Sequence, residues 1–125
     1  MRLFIYYLMI IITLSFHCGK NSNQKLYIFN WTDYLAPELV QKFEKEYNCE
    51  VIYDMYNSNE NMLTRLLSTQ AKYDIIVPTG YFLEIMKQKN LLSPINKKLI
   101  PNWENLSPQL LKKAEIFDPQ NQYGI

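Results

Sequence analysis

Histidine is almost missing from this 125-residue chain: there is one, His17, and it stands in the apolar first segment. The remainder therefore lacks the usual metal ligand and the usual general base near neutral pH. Cysteine is nearly as scarce, with only Cys18 and Cys49. No serine occupies a Gly-x-Ser-x-Gly turn, and no spacing of Cys, Asp or Glu reads as a metal site. These gaps argue against a hydrolase and a metalloenzyme, and the chain is read as a non-enzyme that needs no cofactor. A charge excess is missing as well. Thirteen basic residues stand against twelve acidic ones, for a net charge of +1, which argues against a nucleic-acid partner, since such a partner favours a basic face. The length permits one ordinary domain.

What is present begins with a leader. Arg2 supplies a positive charge, and an uncharged apolar run follows from Leu3 to Phe16. That run is shorter than the roughly 20 apolar residues of a membrane-spanning helix and fits the core of a secretory signal. Cys18 comes next, then the polar Gly19-Lys20-Asn21-Ser22-Asn23-Gln24, whose composition is that of a flexible tether. The arrangement resembles a bacterial lipoprotein leader, in which the cysteine receives lipid and becomes the mature N-terminus. His17 departs from that pattern, where a small residue is usual. The expected layout is a signal peptide over 1–18 with Cys18 as the lipidation site, a tether over 19–24, and one lobe over 25–125. A signal peptide cut nearby, or an uncleaved anchor, is the alternative. Cys49 then has no partner and is expected to be a small buried apolar side chain.

Beyond the tether, strand and helix patterns alternate. Lys25 to Asn30, Glu50 to Met55 and Tyr73 to Val77 read as strands, the last with an unbroken Ile75-Ile76-Val77 that suits cover on both faces. Pro37 to Tyr47 reads as a helix, with proline in its first turn and an apolar stripe of Leu39, Val40, Phe43 and Tyr47. Asn57-Ser58-Asn59-Glu60 opens a second helix, and Tyr81 to Lys89 is a third. Pro94 and Pro101 break the segment from Leu91 to Leu106, after which Ser107-Pro108 starts a short helix. The order β-α-β-α-β-α predicts an α/β fold with a parallel sheet between helical layers. A strand order of 2-1-3 makes the first and third strands neighbours.

Aromatic and polar residues gather directly after two of these strands. Trp31, Thr32, Asp33 and Tyr34 follow the first strand; Thr79 and Tyr81 follow the third. Small ligands bind at the C-terminal ends of parallel strands, and aromatic faces beside hydroxyls and a carboxylate suit a small organic cation. For Trp31 and Tyr34 the competing role is packing against the first helix. For Asp33 it is a solvated turn carboxylate, and for Thr79 a helix N-cap. Tyr53 and Tyr56 read as sheet and loop residues, and Trp103 as packing among prolines.

Asn30-Trp31-Thr32-Asp33-Tyr34, Phe43-Glu44-Lys45-Glu46, Val51-Ile52-Tyr53, Ser58-Asn59-Glu60, Tyr73-Asp74-Ile75-Ile76-Val77-Pro78, Asn105-Leu106 and Asp118-Pro119 occur in an order that resembles the spermidine/putrescine-binding proteins of bacterial ABC importers. The resemblance runs from Leu26 to Ile125. It implies a type II periplasmic binding protein fold of two α/β lobes clamping a polyamine, of which this chain would be the first lobe, truncated, with the second absent. It also implies that Trp31, Thr32, Asp33, Tyr34, Thr79 and Tyr81 contact putrescine or spermidine, that an ABC permease is the partner, and that the location is periplasmic, free or lipid-anchored. A lipoprotein remnant without binding or transport is the competing reading.

Overall fold

The computed structural model describes residues 24–69 and 72–125. Strand β1, Gln24–Trp31, is rich in the aromatic and branched residues that favour extended backbone. Helix α1, Pro37–Tyr47, has proline at its start, Glu38 in the first turn and Lys45 in the last, charges that complement the helix dipole. It stops at Asn48, whose left-handed backbone (φ 49°, ψ 49°) turns its N–H onto the Glu44 carbonyl. Strand β2 is Cys49–Tyr56. Helix α2, Asn59–Ser68, starts where Ser58 Oγ accepts a hydrogen bond from Asn61 N at 3.1 Å. Strand β3 is Ile75–Ile76, α3 is Gly80–Gln88 and α4 is Pro108–Ala114. Short 3-10 turns occupy Lys97–Leu99, Pro101–Asn105 and Pro119–Asn121.

The strands form one parallel sheet in the order β2-β1-β3, the order expected from the alternation. Met62, Leu63 and Leu66 of α2 join the core around Phe29 while no residue of α1 does. Right-handed crossovers to β2 on one side of β1 and to β3 on the other predict this arrangement, with α1 and α2 on opposite faces. Register then assigns the side chains. Phe29 stands beside Asp54 and Ile76, and Trp31 beside Tyr56. This face holds the core: Phe29, Tyr56, Met62 and Met86 are buried, with Leu63, Leu66, Tyr73, Phe82, Leu91 and Leu92 packed against them. At its edge Asp54 Oδ2 accepts from Arg65 Nη2 at 2.8 Å and from Tyr73 Oη at 2.7 Å. Those bonds hold the Arg65 guanidinium 5.1 Å from the Phe29 ring centroid.

The opposite face is thinner than its sequence pattern suggests. The α1 stripe was expected to be inward, yet Leu39 and Tyr47 are 57% and 61% exposed, and no α1 residue is buried. The helix lies along β2, tied by Val51 N donating to Glu44 Oε1 at 2.8 Å, and Phe43 and Tyr47 stack on each other instead (centroids 4.5 Å apart). The third strand is also shorter than expected. Its ladder covers two residues, although Asp74 N and Val77 N still reach the carbonyls of Tyr27 and Phe29. Ile75 is 46% exposed, so cover on both faces is not found among the described residues. Three smaller differences follow the same local logic. Gln24 belongs to β1 and not to the tether. Cys49, at a strand start, is a half-buried free thiol. Ser107 occupies the α4 N-cap without a side-chain capping bond. The leader, its Cys18 and the tether up to Asn23 lie outside the described residues.

The C-terminal segment is pinned to α3 through Asp118, which is 2% exposed. Its Oδ2 accepts from Tyr123 N at 2.7 Å and Gly124 N at 2.9 Å, and its Oδ1 pairs with Lys87 Nζ at 3.3 Å. Gly80 is needed for close approach at the other end of the same helix, because a Cβ there would lie 2.4 Å from Phe117 Cδ2. These contacts fix where α3 begins, and with it the residues that follow β3.

Candidate ligand-binding site

Because β1 and β3 are adjacent and parallel, with Phe29 beside Ile76, both sequence clusters leave the sheet at the same edge. Trp31 is the last residue of β1 and half-buried, while Thr32, Asp33 and Tyr34 lie exposed in the turn beyond it. Asp33 takes a left-handed conformation (φ 60°), which aspartate tolerates better than most residues. Tyr34 N then donates to Trp31 O at 3.4 Å. Across the rim Thr79 is the N-cap of α3, and its side chain makes no capping bond, so its hydroxyl is not spent on the helix. Its N–H donates to Asn59 Oδ1 at 3.2 Å. Tyr81 stands in the first turn of α3, 61% exposed, edge-on to Phe82.

Tyr56, which the sequence pattern marks only as a sheet or loop residue, connects the two groups. Tyr56 ends β2, is 3% exposed, and supports the Trp31 ring (centroids 4.8 Å apart, planes at 54°). Its carbonyl accepts from Thr32 N at 3.0 Å and Thr32 Oγ1 at 3.2 Å. Its phenol reaches across β1 and donates to Val77 O, beyond the end of β3. Burial, and then the neighbouring phenols of Tyr34 and Tyr53, push its pKa up to about 12. The phenol is therefore a protonated donor throughout the physiological range. The signal in the sequence was positional. Pairing β1 with β2 in register places Tyr56 beside Trp31, but that requires the sheet order first.

The rim offers aromatic faces from Trp31, Tyr34 and Tyr81, hydroxyls from Thr32 and Thr79, and the Asp33 carboxylate. Thr32 donates its proton to the Tyr56 carbonyl, leaving lone pairs, so toward a ligand it acts as an acceptor. Acceptors and ring faces together match an amphipathic cation. The surface is one-sided and open. A depression of about 440 Å³ lies elsewhere, lined by Lys97, Trp103, Leu111 and Asn121 among others, and none of the rim residues lines it. Trp103 there carries Lys97 Nζ 4.7 Å from its ring centroid. Among the described residues no group of three or more His, Cys, Asp or Glu could hold a metal.

The profile of the family described as "Hypothetical lipoprotein (MG045 family)" matches residues 1–111. The chain belongs to that family. The putrescine-binding periplasmic protein SpuD of Pseudomonas aeruginosa is 38% identical over 103 residues, 82% of this chain and 28% of that protein. The structure of the spermidine/putrescine ABC transporter substrate-binding protein PotD of Streptococcus pneumoniae superposes with a TM-score of 0.77 at 39% identity, over 82% of this chain and 31% of that one. The TpPotD lipoprotein of Treponema pallidum gives 0.74 at 40% identity, over 80% and 31%. The chain thus spans less than a third of the length of these relatives. The α/β parallel-sheet architecture is shared with them.

Proposed function

We propose that this chain forms one wall of an extracytoplasmic polyamine site that serves an ABC importer. The supporting observation is the convergence of Trp31, Thr32, Asp33, Tyr34, Thr79 and Tyr81 on one sheet edge in a fold whose relatives bind putrescine or spermidine. In this reading the rings pack on the methylene chain and face the ammonium groups, and Thr32, Thr79 and Asp33 accept their hydrogens. The permease of the importer is the proposed partner, and the periplasm the proposed location.

A single wall should bind weakly. Exposed cation–π contacts contribute about 0.5–1 kcal/mol each, and a solvent-screened pair with Asp33 at most about 1 kcal/mol. Two or three such contacts with that pair reach only a few kcal/mol, and about 4 kcal/mol corresponds to 1 mM. The isolated chain should therefore bind putrescine and spermidine at about 1 mM or weaker. A titration followed by amide chemical shifts measures this range, and the shifts should centre on residues 31–34 and 79–81. Micromolar affinity in a verified monomer would overturn the one-wall account, and no response at high ligand would remove the polyamine reading.

The family profile spans the leader and Cys18, which supports lipid attachment at that residue and anchoring at the membrane surface. Metabolic labelling with a fatty acid should tag the wild-type chain and not Cys18→Ala. Equal labelling of both would exclude Cys18 as the acceptor.

A further inference from the structure

We propose that Tyr56 is the positioning residue of this rim, coupling the two groups of ligand-contacting side chains through its two ends. The inference rests on the polyamine reading of the site and adds to it a residue that the ligand does not touch. Tyr56 is almost fully buried beneath Trp31, so any effect it has on binding must pass through other residues.

The geometry makes Tyr56 the shared support. Its main chain holds the first group, through two hydrogen bonds from Thr32 to its carbonyl. Its phenol holds the second, through the Val77 carbonyl that directly precedes Pro78-Thr79-Gly80-Tyr81. Between these ends the ring packs edge-on against Phe29 (centroids 4.8 Å, 74°), which fixes its direction across the sheet. The second group needs this support more than the first. β1 is eight residues long and paired along its whole length with β2, whereas among the described residues β3 has two ladder residues and only β1 as a neighbour. Beyond Val77, the 78–81 segment is held by Thr79 N donating to Asn59 Oδ1, by the packing of Gly80 on Phe117, by Tyr81 against Phe82, and by the start of α3, where Leu83 N donates to Thr79 O at 3.0 Å. Of these only the Thr79–Asn59 bond ties it to the β2–α2 side of the rim. A flexible cation must meet both groups at once to gain from both, so small shifts of one against the other reduce binding without removing a contact residue.

Tyr56→Phe keeps the ring and removes only the donor. In the unliganded variant, amide hydrogen exchange at residues 79–81 should quicken while residues 30–32 stay as in wild type. Titrated with putrescine, the variant should keep its shifts at residues 31–34 and lose most of those at 79–81, with affinity weaker by about 3- to 10-fold, as for loss of one buried hydrogen bond. Tyr81→Ala should then cost little more in the Tyr56→Phe background, whereas Trp31→Ala should cost the same in both. Unchanged exchange and unchanged shifts at 79–81, or full additivity with Tyr81→Ala, would overturn the proposal. If Tyr56→Phe does not fold, the wild type supplies the test. Its buried Tyr56 hydroxyl proton should shift when putrescine binds, and a proton indifferent to a saturating ligand would overturn the coupling. Should wild type show no response to putrescine, the polyamine reading falls, and the exchange comparison alone decides the positioning role.

Discussion

Phe29→Ala should cost about 3–5 kcal/mol of folding stability, the range for removing a fully buried aromatic side chain. A domain of this size has about 5–15 kcal/mol in total, so the variant should be partly unfolded at room temperature or should melt far earlier than wild type. The magnitude follows from there being one core cluster among the described residues. Among the described residues only Phe29, Tyr56, Met62 and Met86 are buried hydrophobics, and Phe29 is a fully buried member of that cluster. It stacks on Tyr73 at 4.6 Å, meets Tyr56 edge-on, and lies under the Arg65 guanidinium. Truncation would thus open a cavity and also release the Asp54–Arg65–Tyr73 network above it. Phe43→Ala is the control. Phe43 is 38% exposed on α1, and its loss should cost about 1–2 kcal/mol by area. Urea unfolding followed by circular dichroism measures both. Equal costs for the two variants would mean that the central strand is not the stability core.

Local rules carried most of the fold. Pro37 and Asn48 bound α1 at the residues where the periodicity placed its ends, because proline at a first turn and a left-handed asparagine at a stop are determined by the chain itself. Ser58 caps α2 for the same reason. The larger failures are matters of tertiary cover. Leu39, Phe43, Tyr47 and Ile75 have the pattern of buried residues, but a pattern states which side is apolar and not whether anything lies over it. Ile75-Ile76-Val77 looked like a strand enclosed on both faces, whereas its ladder has two residues and one neighbour. The site was legible in the same uneven way. Trp31, Tyr34, Thr79 and Tyr81 could be named as candidates because they stand at or just beyond strand ends, and parallel pairing brings those ends to one edge. Tyr56 could not, since the role proposed for it lies in a phenol reaching across an intervening strand to a carbonyl, and neither spacing nor composition records that.

The largest effect on binding should come from supplying an opposite wall. The relatives are more than three times as long as the matched region, and the rim described here is open on one side. A cation leaving water needs paired acceptors or its desolvation cost is not recovered, and Asp33 is the only rim carboxylate in the proposed site. Adding in trans the polypeptide equivalent to the unmatched part of the pneumococcal relative should therefore tighten putrescine binding at least about 100-fold, which is about 2.7 kcal/mol. Enclosure is the physical source of the gain, since the same stacking and charge contacts strengthen once water is excluded. Trp31→Ala should then remove most of the gained affinity, because its ring face can be used fully only when the ligand is held against it. Calorimetric titration of the chain, the added polypeptide and their mixture separates the outcomes. Tight binding by the added polypeptide alone, unchanged by this chain or by Trp31→Ala, would show that the rim contributes nothing to the site. Tight binding only in the mixture, lost on Trp31→Ala, would make the rim one half of a working polyamine receptor.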